Sequence, residues 1–256
     1  MQIRFRKRGS LGFRLAVLLS LIVTLSYCGR PNARPRNSRS LTQATRHFLS
    51  VQLAIACMNA EVNKALSLLS DGANPNARDK NGRPVIFEAL HNSDAILQAL
   101  VAHGSDIDIR EPLAQATPLM YAAAFREAKT IKFLLAHGAK INLRNSRGDT
   151  ALSKAAYSCG HDGCASNADT GRELIKSGAD VNAKNKQGNT PLMLLTEEPD
   201  SDSVELAKTL ISHGAKSNLR NKQGKTALQM ARSHLNKDDN TLALIRLLSA
   251  TSKAVR

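Results

Sequence analysis

A five-residue motif, Gly-Ala-Asx-x-Asn, recurs along this chain at a nearly constant spacing. Two copies match it fully, at residues 72–76 and 178–182, and three looser copies lie at residues 104–108, 138–142 and 214–218. Successive copies begin 32, 34, 40 and 36 residues apart. A period of about 20–50 residues is typical of stacked structural repeats, in which each unit completes the core of its neighbour.

A second motif, of the Thr-Pro-Leu type, recurs in step with the first. It lies at residues 83–85, 117–119, 150–152, 190–192 and 226–228. We expect Thr117 and Thr190 to be helix N-caps, because their hydroxyls can accept a hydrogen bond from an otherwise unpaired helix N–H. Pro118 and Pro191 then stand at the first helical position, where no N–H is needed. The glycine of the first motif is expected to end a second helix in the left-handed conformation.

Together the two motifs resemble the ankyrin repeat, and the resemblance covers about residues 41–250. It implies an all-α ankyrin-repeat solenoid of about six stacked helix-turn-helix units with protruding loops. The implied repeats are residues 46–78, 79–111, 112–145, 146–184, 185–220 and 221–250, within a domain over 45–250 and before a tail at 251–256. We expect the first and last repeats to be caps with a more polar outer side.

The chain departs from the repeat pattern in its loops. Gln115 stands where the third repeat needs its turn glycine, so we expect a distorted loop there. The fourth repeat carries about seven extra residues between Leu152 and Gly178. Insertions in a solenoid form loops, so we expect this one to protrude.

Positive charge is concentrated at the N-terminus. The net charge is +15, but residues 1–40 hold nine arginines and lysines and no acidic residue, which leaves +6 for residues 41–256. The sequence has no tryptophan and only 4% aromatic residues, so it lacks the stacking platform of single-stranded nucleic-acid binders. Both observations argue against a nucleic-acid partner and indicate a basic terminal segment.

Residues 1–28 are predicted to form an export signal. Eleven mostly apolar residues, 15–25, follow five basic ones. This order is typical of a signal peptide, and the apolar run is shorter than the ~20 residues that cross a bilayer. An uncleaved short anchor is the alternative hypothesis.

The end of this segment resembles a bacterial lipobox. Leu25, Ser26 and Cys28 match that pattern, whereas Tyr27 stands where a small residue is expected. The resemblance implies a lipid on Cys28, residues 29–44 as a flexible polar tether, and a location in the periplasm or cell envelope. Ordinary cleavage near Ser26 would instead release a free secreted or periplasmic protein.

The insertion in the fourth repeat contains Cys159, His161, Asp162 and Cys164. A disulfide between the two cysteines fits an oxidising compartment and is the favoured interpretation. A metal site would need all its ligands on one glycine-containing loop, so no metal and no cofactor are predicted. Free thiols are the third alternative. Cys57 lies among apolar residues and is expected to be a small buried side chain.

Three histidines, His103, His137 and His213, each precede a helix-ending glycine. Neighbouring helices pack ~8–10 Å apart, which is too far for side chains in register to share a metal ion at ~2 Å. We expect these residues at helix C-termini, where a positive ring is favourable.

Basic residues recur at the predicted loop tips, and proteins of the resembled family bind partners through these tips and the concave helical face. The partner-binding candidates are Arg78, Lys80, Arg110, Arg144, Arg147, Lys184, Lys186, Arg220 and Lys222. One hypothesis is a basic strip that attracts an acidic partner; the alternative is a set of solvated turns. Apolar anchors are expected at Phe87, Met120, Tyr121 and Met193.

The sequence lacks the nucleotide-binding glycine loop, the His-Glu-x-x-His zinc motif and the Gly-x-Ser-x-Gly nucleophile motif. No catalytic residue is therefore predicted. The predicted function is a non-enzymatic scaffold in the bacterial cell envelope that binds a protein partner. Two alternatives stay open: a periplasmic redox or metal accessory protein using Cys159 and Cys164, and a secreted effector that binds host proteins.

Overall fold

Twelve helices follow one another in the described part of the chain. A computed structural model describes residues 42–125, 127–157, 167–197, 199–233 and 238–254. The helices are α1 (Gln43–Met58), α2 (Val62–Ser70), α3 (Ile86–Asn92), α4 (Asp94–Ala102), α5 (Pro118–Ala124), α6 (Ala128–Ala136), α7 (Ala151–Ala156), α8 (Asn167–Lys176), α9 (Pro191–Leu194), α10 (Ser201–Ser212), α11 (Ala227–Ser233) and α12 (Asp239–Ala254). Apart from an isolated bridge between Arg78 and Pro84, these residues contain no β-structure.

The helices form six pairs that stack in sequence order. Each odd-numbered helix packs on the next odd-numbered one, from α1 through α11. The even-numbered helices form a second layer, in which α2 packs on α4, and α6, α8, α10 and α12 pack in succession. The predicted solenoid of about six helix-turn-helix units is confirmed.

The helix starts follow the Thr-Pro motif with one exception. The prolines begin α5 and α9, and Thr117 Oγ1 accepts the N–H of Met120 at 3.4 Å. Thr190 occupies the N-cap position of α9, but its side chain makes no capping hydrogen bond, so that prediction is wrong. The N–H of Met193 donates to the backbone carbonyl of Thr190 at 2.9 Å instead.

The helix ends follow the glycine motif as predicted. The glycine after each of five second helices has φ between 84° and 91°, a region that glycine enters without strain. These residues are Gly72, Gly104, Gly138, Gly178 and Gly214. The left-handed helix end is thereby confirmed in all five copies of the motif.

The last asparagine of the motif ties the third repeat to the fourth and the fourth to the fifth. Asn142 Oδ1 accepts the N–H of Asp180 at 2.9 Å, and Asn142 Nδ2 donates to the carbonyl of Gly178 at 3.4 Å. Asn182 makes the same pair of bonds, to the N–H of Lys216 at 2.8 Å and to the next glycine carbonyl at 3.0 Å. One amide side chain therefore satisfies two loop groups of the following repeat.

The core runs through the whole stack, from Leu53 to Leu248. Residues Thr42–Arg256 form one compact unit with this core, so we expect the unit to fold without the residues before it. Helix α1 begins within the predicted tether, where Thr42 Oγ1 accepts the N–H of Thr45 at 3.2 Å. None of the helices in the described residues is both long enough and apolar enough to span a membrane.

The outer side of the first repeat differs from the expected polar cap. Four large apolar side chains of α1 are exposed: Phe48 by 52%, Val51 by 42%, Ile55 by 41% and Met58 by 48%. No earlier repeat covers this side of α1 among the described residues. The prediction of a more polar outer side is wrong for the first repeat.

Candidate functional site

The loops that enter the first helices form a row, and we call them the finger loops. They comprise residues 79–83, 111–116, 145–149, 185–189 and 221–225. In the fourth repeat, Asn145 Oδ1 accepts the N–H groups of Arg147 and Asp149, both at 2.9 Å. Asn185 and Asn221 organise the next two finger loops in the same way.

Buried side chains join the last three finger loops to one another. Asn185 Nδ2 donates to Asp149 Oδ1 at 3.0 Å. One repeat later, Asn221 Nδ2 donates to Asn189 Oδ1 at 2.8 Å. Backbone hydrogen bonds run alongside, such as the N–H of Lys186 to the carbonyl of Arg147 at 2.9 Å. These three loops therefore form one connected hydrogen-bonded unit.

The finger loop of the third repeat has a different construction. It holds one more residue before its threonine than its neighbours do, and the Glu111 carboxylate accepts the N–H groups of Leu113 and Ala114. Gln115 takes φ 55°, in the left-handed region that glycine occupies in the other loops. The expected distortion is confirmed, and it leaves Leu113 exposed by 92%.

The same loop leaves a polar atom of the next repeat without a partner. Ala116 occupies the place that Asp149 and Asn189 fill in later repeats, and it offers no side-chain acceptor. Asn145 Nδ2 is buried and has no hydrogen-bond partner. The side-chain links between finger loops therefore end at the third repeat, although the N–H of Ser146 still donates to the carbonyl of Ala114 at 2.8 Å.

A cleft of about 850 Å³ opens beside this irregular loop. It lies between two finger loops and the exposed side of α5, and it reaches α7. Its walls are Asn81, Arg83, Glu111, Pro112, Leu113, Ala114, Ala116, Met120, Tyr121, Ala124, Phe125 and Lys154. This volume falls within the ~300–1,000 Å³ of typical ligand pockets.

Aromatic rings fix one wall of the cleft. The hydroxyl of Tyr121 lies 2.7 Å from His91 Nε2, and the Tyr121 ring lies 4.7 Å from the ring of Phe125. The ring of His91 meets that of Phe125 edge-on at 4.6 Å, and the buried Phe87 supports Tyr121 from behind at 5.5 Å. Tyr121 and Phe125 are thus held in place while Phe125 stays 44% exposed.

A cation completes this wall. The Arg83 guanidinium lies 5.0 Å from the centre of the Tyr121 ring, within the range of a cation–π contact. Glu88 holds that guanidinium through an ion pair of 2.9 Å. Lys154, on the far side of the cleft, lies 5.4 Å from the centre of the Tyr157 ring. The cleft therefore combines a rigid apolar surface with two cations and with the Glu111 carboxylate, which accepts hydrogen bonds from its own loop.

Five of the predicted partner-binding residues serve the finger loops themselves. Each donates from its side chain to a backbone carbonyl of its own loop or of the next repeat. They are Arg78, Arg110, Arg144, Lys184 and Arg220. Arg110, for example, donates to the carbonyl of Gln115 at 2.8 Å and to that of Arg144 at 2.7 Å.

Four predicted basic residues keep their side chains available at the loop tips. Lys80, Arg147, Lys186 and Lys222 are exposed, and none makes a side-chain hydrogen bond or ion pair with the described residues. Lys186 and Lys222 line a second cleft of about 420 Å³ with Glu197. These four side chains are the ones that a partner could reach without breaking an internal bond.

Three of the predicted apolar anchors lie in the core. Phe87 is 0% exposed, and Met120 and Met193 are each 1% exposed. For Phe87 and Met193, which lie outside the cleft, the prediction that they contact a partner is wrong, whereas the buried Met120 also forms part of the cleft wall. Tyr121 is half-buried and lies in the cleft wall.

Cys57 is buried as predicted. Its thiol is free, and burial, helped by the negative charge of Glu88, raises the pKa of Cys57 to about 12. Cys28, Cys159, His161 and Cys164 lie outside the described residues. No cluster of three metal-ligating side chains occurs in the part of the chain that is described.

The helix-ending histidines bind backbone, as their position predicts. His103, His137 and His213 are the C-cap residues of α4, α6 and α10. The Nδ1 atom of each lies 2.8–2.9 Å from the carbonyl oxygen four residues earlier. These rings therefore serve the helix ends.

Comparison with known proteins decides the family. The family profile described as ankyrin repeats (3 copies) matches residues 53–145, 89–167 and 161–252. The chain belongs to the ankyrin-repeat family. No curated protein sequence matches this ankyrin-repeat chain. The fold is generally a non-enzymatic scaffold, and the domain is one for protein–protein interaction.

Solved structures share this fold. A crystal structure of an ankyrin-repeat domain from Acinetobacter baumannii AYE is 28% identical, covers 78% of this chain and 97% of its own, and has a TM-score of 0.66. The ankyrin-repeat protein EF0377 is 24% identical, with 77% and 96% covered and a TM-score of 0.67. The human ASB11 ankyrin-repeat domain is 24% identical, with 91% and 92% covered and a TM-score of 0.63.

The sequence did not reveal most of the cleft. Arg83, His91, Leu113 and Phe125 come from three different segments, and their contact depends on how α3 packs on α5. Phe125 carried a weak signal, since it is a large aromatic residue that directly follows three alanines.

Proposed function

We propose that this ankyrin-repeat chain is a non-enzymatic scaffold of the bacterial cell envelope that holds a protein partner in the cleft beside Tyr121. The observation that carries the proposal is the coincidence of the cleft with the irregular finger loop. There, Leu113, Tyr121 and Phe125 present apolar surface that the described part of the chain leaves uncovered.

Such a surface suits a few strong anchor contacts. Protein interfaces gain most of their affinity from a small number of rigid aromatic or charged side chains. Tyr121 is held by His91 and Arg83, so it loses little side-chain freedom when a partner docks. The partner is expected to insert an apolar side chain between Leu113 and Phe125.

The available basic residues give the partner its expected charge. Lys80 and Arg147 stand at finger tips next to the cleft-forming loops, and Lys186 and Lys222 continue the row. Since these cations have no acidic partner among the described residues, an acidic segment flanking the anchor would satisfy them. Salt would then slow association, because exposed charges act at long range.

The envelope location rests on the sequence. Residues 15–25 read as an export segment, and Cys28 closes a lipobox-like pattern. Mass spectrometry of the mature N-terminus tests this part: a diacylglycerol on Cys28 supports tethering. A start near Tyr27 indicates release, and an intact Met1 would contradict export with cleavage.

Site-specific photocrosslinking in the producing cells tests the cleft. A photoreactive phenylalanine analogue at position 113 should give a discrete cross-linked band, whereas the same analogue at Lys208, exposed on α10, should give none. Tyr121→Ala combined with the probe at 113 should abolish the band. Equal cross-linking at both positions, or a band that survives Tyr121→Ala in a folded protein, would contradict the proposal.

A further inference from the structure

Helix α1 carries an apolar stripe that faces away from the stack. Phe48, Val51, Ile55 and Met58 follow one another at spacings of three, four and three residues, which places them on one side of a helix. Each is between 41% and 52% exposed, while Leu53 and Cys57 on the opposite side are buried. Leu66 of α2, 40% exposed, adds to the same end of the molecule. We call the four α1 side chains the α1 stripe.

The sequence from residue 1 to residue 60 carries positive charge and contains no acidic residue. The first acidic residue of the whole sequence is Glu61, which pairs with Lys64 at 3.0 Å. Five arginines lie between residues 29 and 60, and they are Arg30, Arg34, Arg36, Arg39 and Arg46. The apolar face of α1 therefore lies within a stretch of sequence whose charged residues are all basic.

We propose that the α1 stripe docks on an anionic lipid surface. Amphipathic helices bury their apolar side chains at the boundary between headgroups and acyl chains, and nearby arginines attract lipid phosphates. The stripe supplies the first component, and the exposed Arg46 of α1, together with the positive charge of the sequence before α1, supplies the second. The first repeat would then lie against the bilayer, whatever anchors residues 1–28.

A second copy of this chain suits the surface less well. A two-fold contact places identical patches together, so each copy would bring the exposed Arg46 of α1 and no acidic residue of α1 to pair with it. The side chains of the stripe and Leu66 are each only about half exposed, and five of them offer much less than the ~800 Å² per partner of a standard interface. Docking on a lipid surface does not require a contact area of that size, and it does not bring like charges together.

This surface is separate from the proposed partner cleft. The stripe belongs to α1, whereas the cleft is formed by finger loops, α5 and α7. Either proposal can therefore fail without the other, and a variant of one surface serves as a control for the other.

A fluorescence experiment tests insertion directly. The chain has no tryptophan, so Phe48→Trp provides a single reporter in residues 29–256, which contain the complete core. Vesicles of phosphatidylcholine with phosphatidylglycerol should shift its emission to the blue and expose it to bromolipid quenching. Leu113→Trp, on an exposed loop far from α1, should show neither change. An unshifted Phe48→Trp emission with these vesicles would overturn the proposal.

Cosedimentation with the same vesicles measures the contribution of each component. Val51→Ser combined with Ile55→Ser should lower vesicle partitioning at least about tenfold, since two large apolar contacts are lost. Leu113→Ser is the matched control and should leave partitioning unchanged. Removing residues 29–41, or replacing phosphatidylglycerol by phosphatidylcholine, should also lower it about tenfold or more.

Two results would overturn this assignment. Equal partitioning of the double serine variant and Leu113→Ser would show that the stripe is not the contact. A wild-type dimer in sedimentation equilibrium that the double variant abolishes, without vesicle binding, would identify a second copy as the occupant. Thermal unfolding followed by circular dichroism confirms that each variant is folded, because the substituted positions are exposed and outside the core.

Discussion

The finger loops of repeats four to six differ from those of repeats two and three. In the later repeats, Asn145, Asn185 and Asn221 organise their own loops, and the last two also donate to the preceding loop. In the third repeat, Glu111 performs the local role and Ala116 offers nothing to the next repeat. The regular loops bond to each other through these side chains, although Asp149 Oδ2 stays buried and unpaired, whereas the irregular loop opens a cleft.

Under the proposed function, this difference explains why the binding surface lies at the third finger loop. A loop that satisfies both neighbours has little left to offer a partner, and its side chains are fixed by packing. The third loop exposes Leu113 beside Tyr121, at the cost of the buried, unpaired Asn145 Nδ2. We infer that the irregularity favours binding over local stability.

The largest expected effect is a loss of stability in the regular finger loops of repeats four to six. Gly188 has φ 79°, and a Cβ there would lie 2.9 Å from the N atom of Lys222, whose N–H donates to the carbonyl of Gln187 and so joins the two finger loops. Gly188→Ala should lower the free energy of unfolding by about 3–4 kcal/mol. Gly224→Ala is the matched control: φ is 74° but no atom lies within 4 Å, so about 1–2 kcal/mol is expected. Urea unfolding measures both, and equal losses would contradict the close-contact argument.

A reciprocal exchange tests the asparagine that links repeats. Asn182→Asp removes the donor to the carbonyl of Gly214, so we expect a loss of about 1–2 kcal/mol in unfolding free energy. Asp108 occupies the same place in the second repeat and only accepts, from the N–H of Lys140 at 3.0 Å. Asp108→Asn should therefore gain a donor and about 0.5–1 kcal/mol.

The exposed ion pair at Asp108 limits that gain only slightly. Lys140 Nζ lies 3.8 Å from Asp108 Oδ2, and the lysine side chain is 75% exposed. Destabilisation by Asp108→Asn would show that this ion pair outweighs the new amide donor.

Adding the missing acceptor to the irregular loop tests the same comparison by a gain of stability. Ala116→Asn places an acceptor where Asp149 and Asn189 stand in later repeats, within reach of Asn145 Nδ2. We expect about 1 kcal/mol of added stability in urea unfolding. Ala116→Val, which adds volume without an acceptor, should give no gain; an equal gain would contradict the hydrogen-bond explanation.

The smallest effect concerns the order of local unfolding, which is followed at Cys57 in the first repeat and at α10 in the fifth. Because burial raises the pKa of Cys57 to about 12, its thiol stays neutral at pH 8 and reacts only when the first repeats open. We expect alkylation of the Cys57 peptide at urea concentrations where amides of α10 still resist hydrogen exchange. Loss of α10 protection before Cys57 reacts would contradict the expectation that repeats four to six are more stable than the first repeats.

The sequence predicts the local features of the fold well. The prolines of α5 and α9, the five left-handed glycines and the distorted loop at Gln115 all follow from conformational preferences of single residues. The roles of individual side chains were harder to predict from the sequence. Arg144 reads as a loop-tip cation, but its guanidinium holds the carbonyl of Gly148 at 3.0 Å and that of Lys184. Its acceptors depend on backbone geometry that no local pattern encodes.

By itself, the sequence determined the repeat length, the helix boundaries near each motif and the stacking of six units, because these depend on spacing and on backbone preferences. Only the tertiary structure decided which polar groups pair with each other and which stay without a partner. Asn182 finds its acceptor 32 residues later, and Tyr121 meets His91 across 30 residues. Such contacts follow from how neighbouring repeats are aligned, and that alignment also leaves the α1 stripe and the cleft beside Tyr121 uncovered.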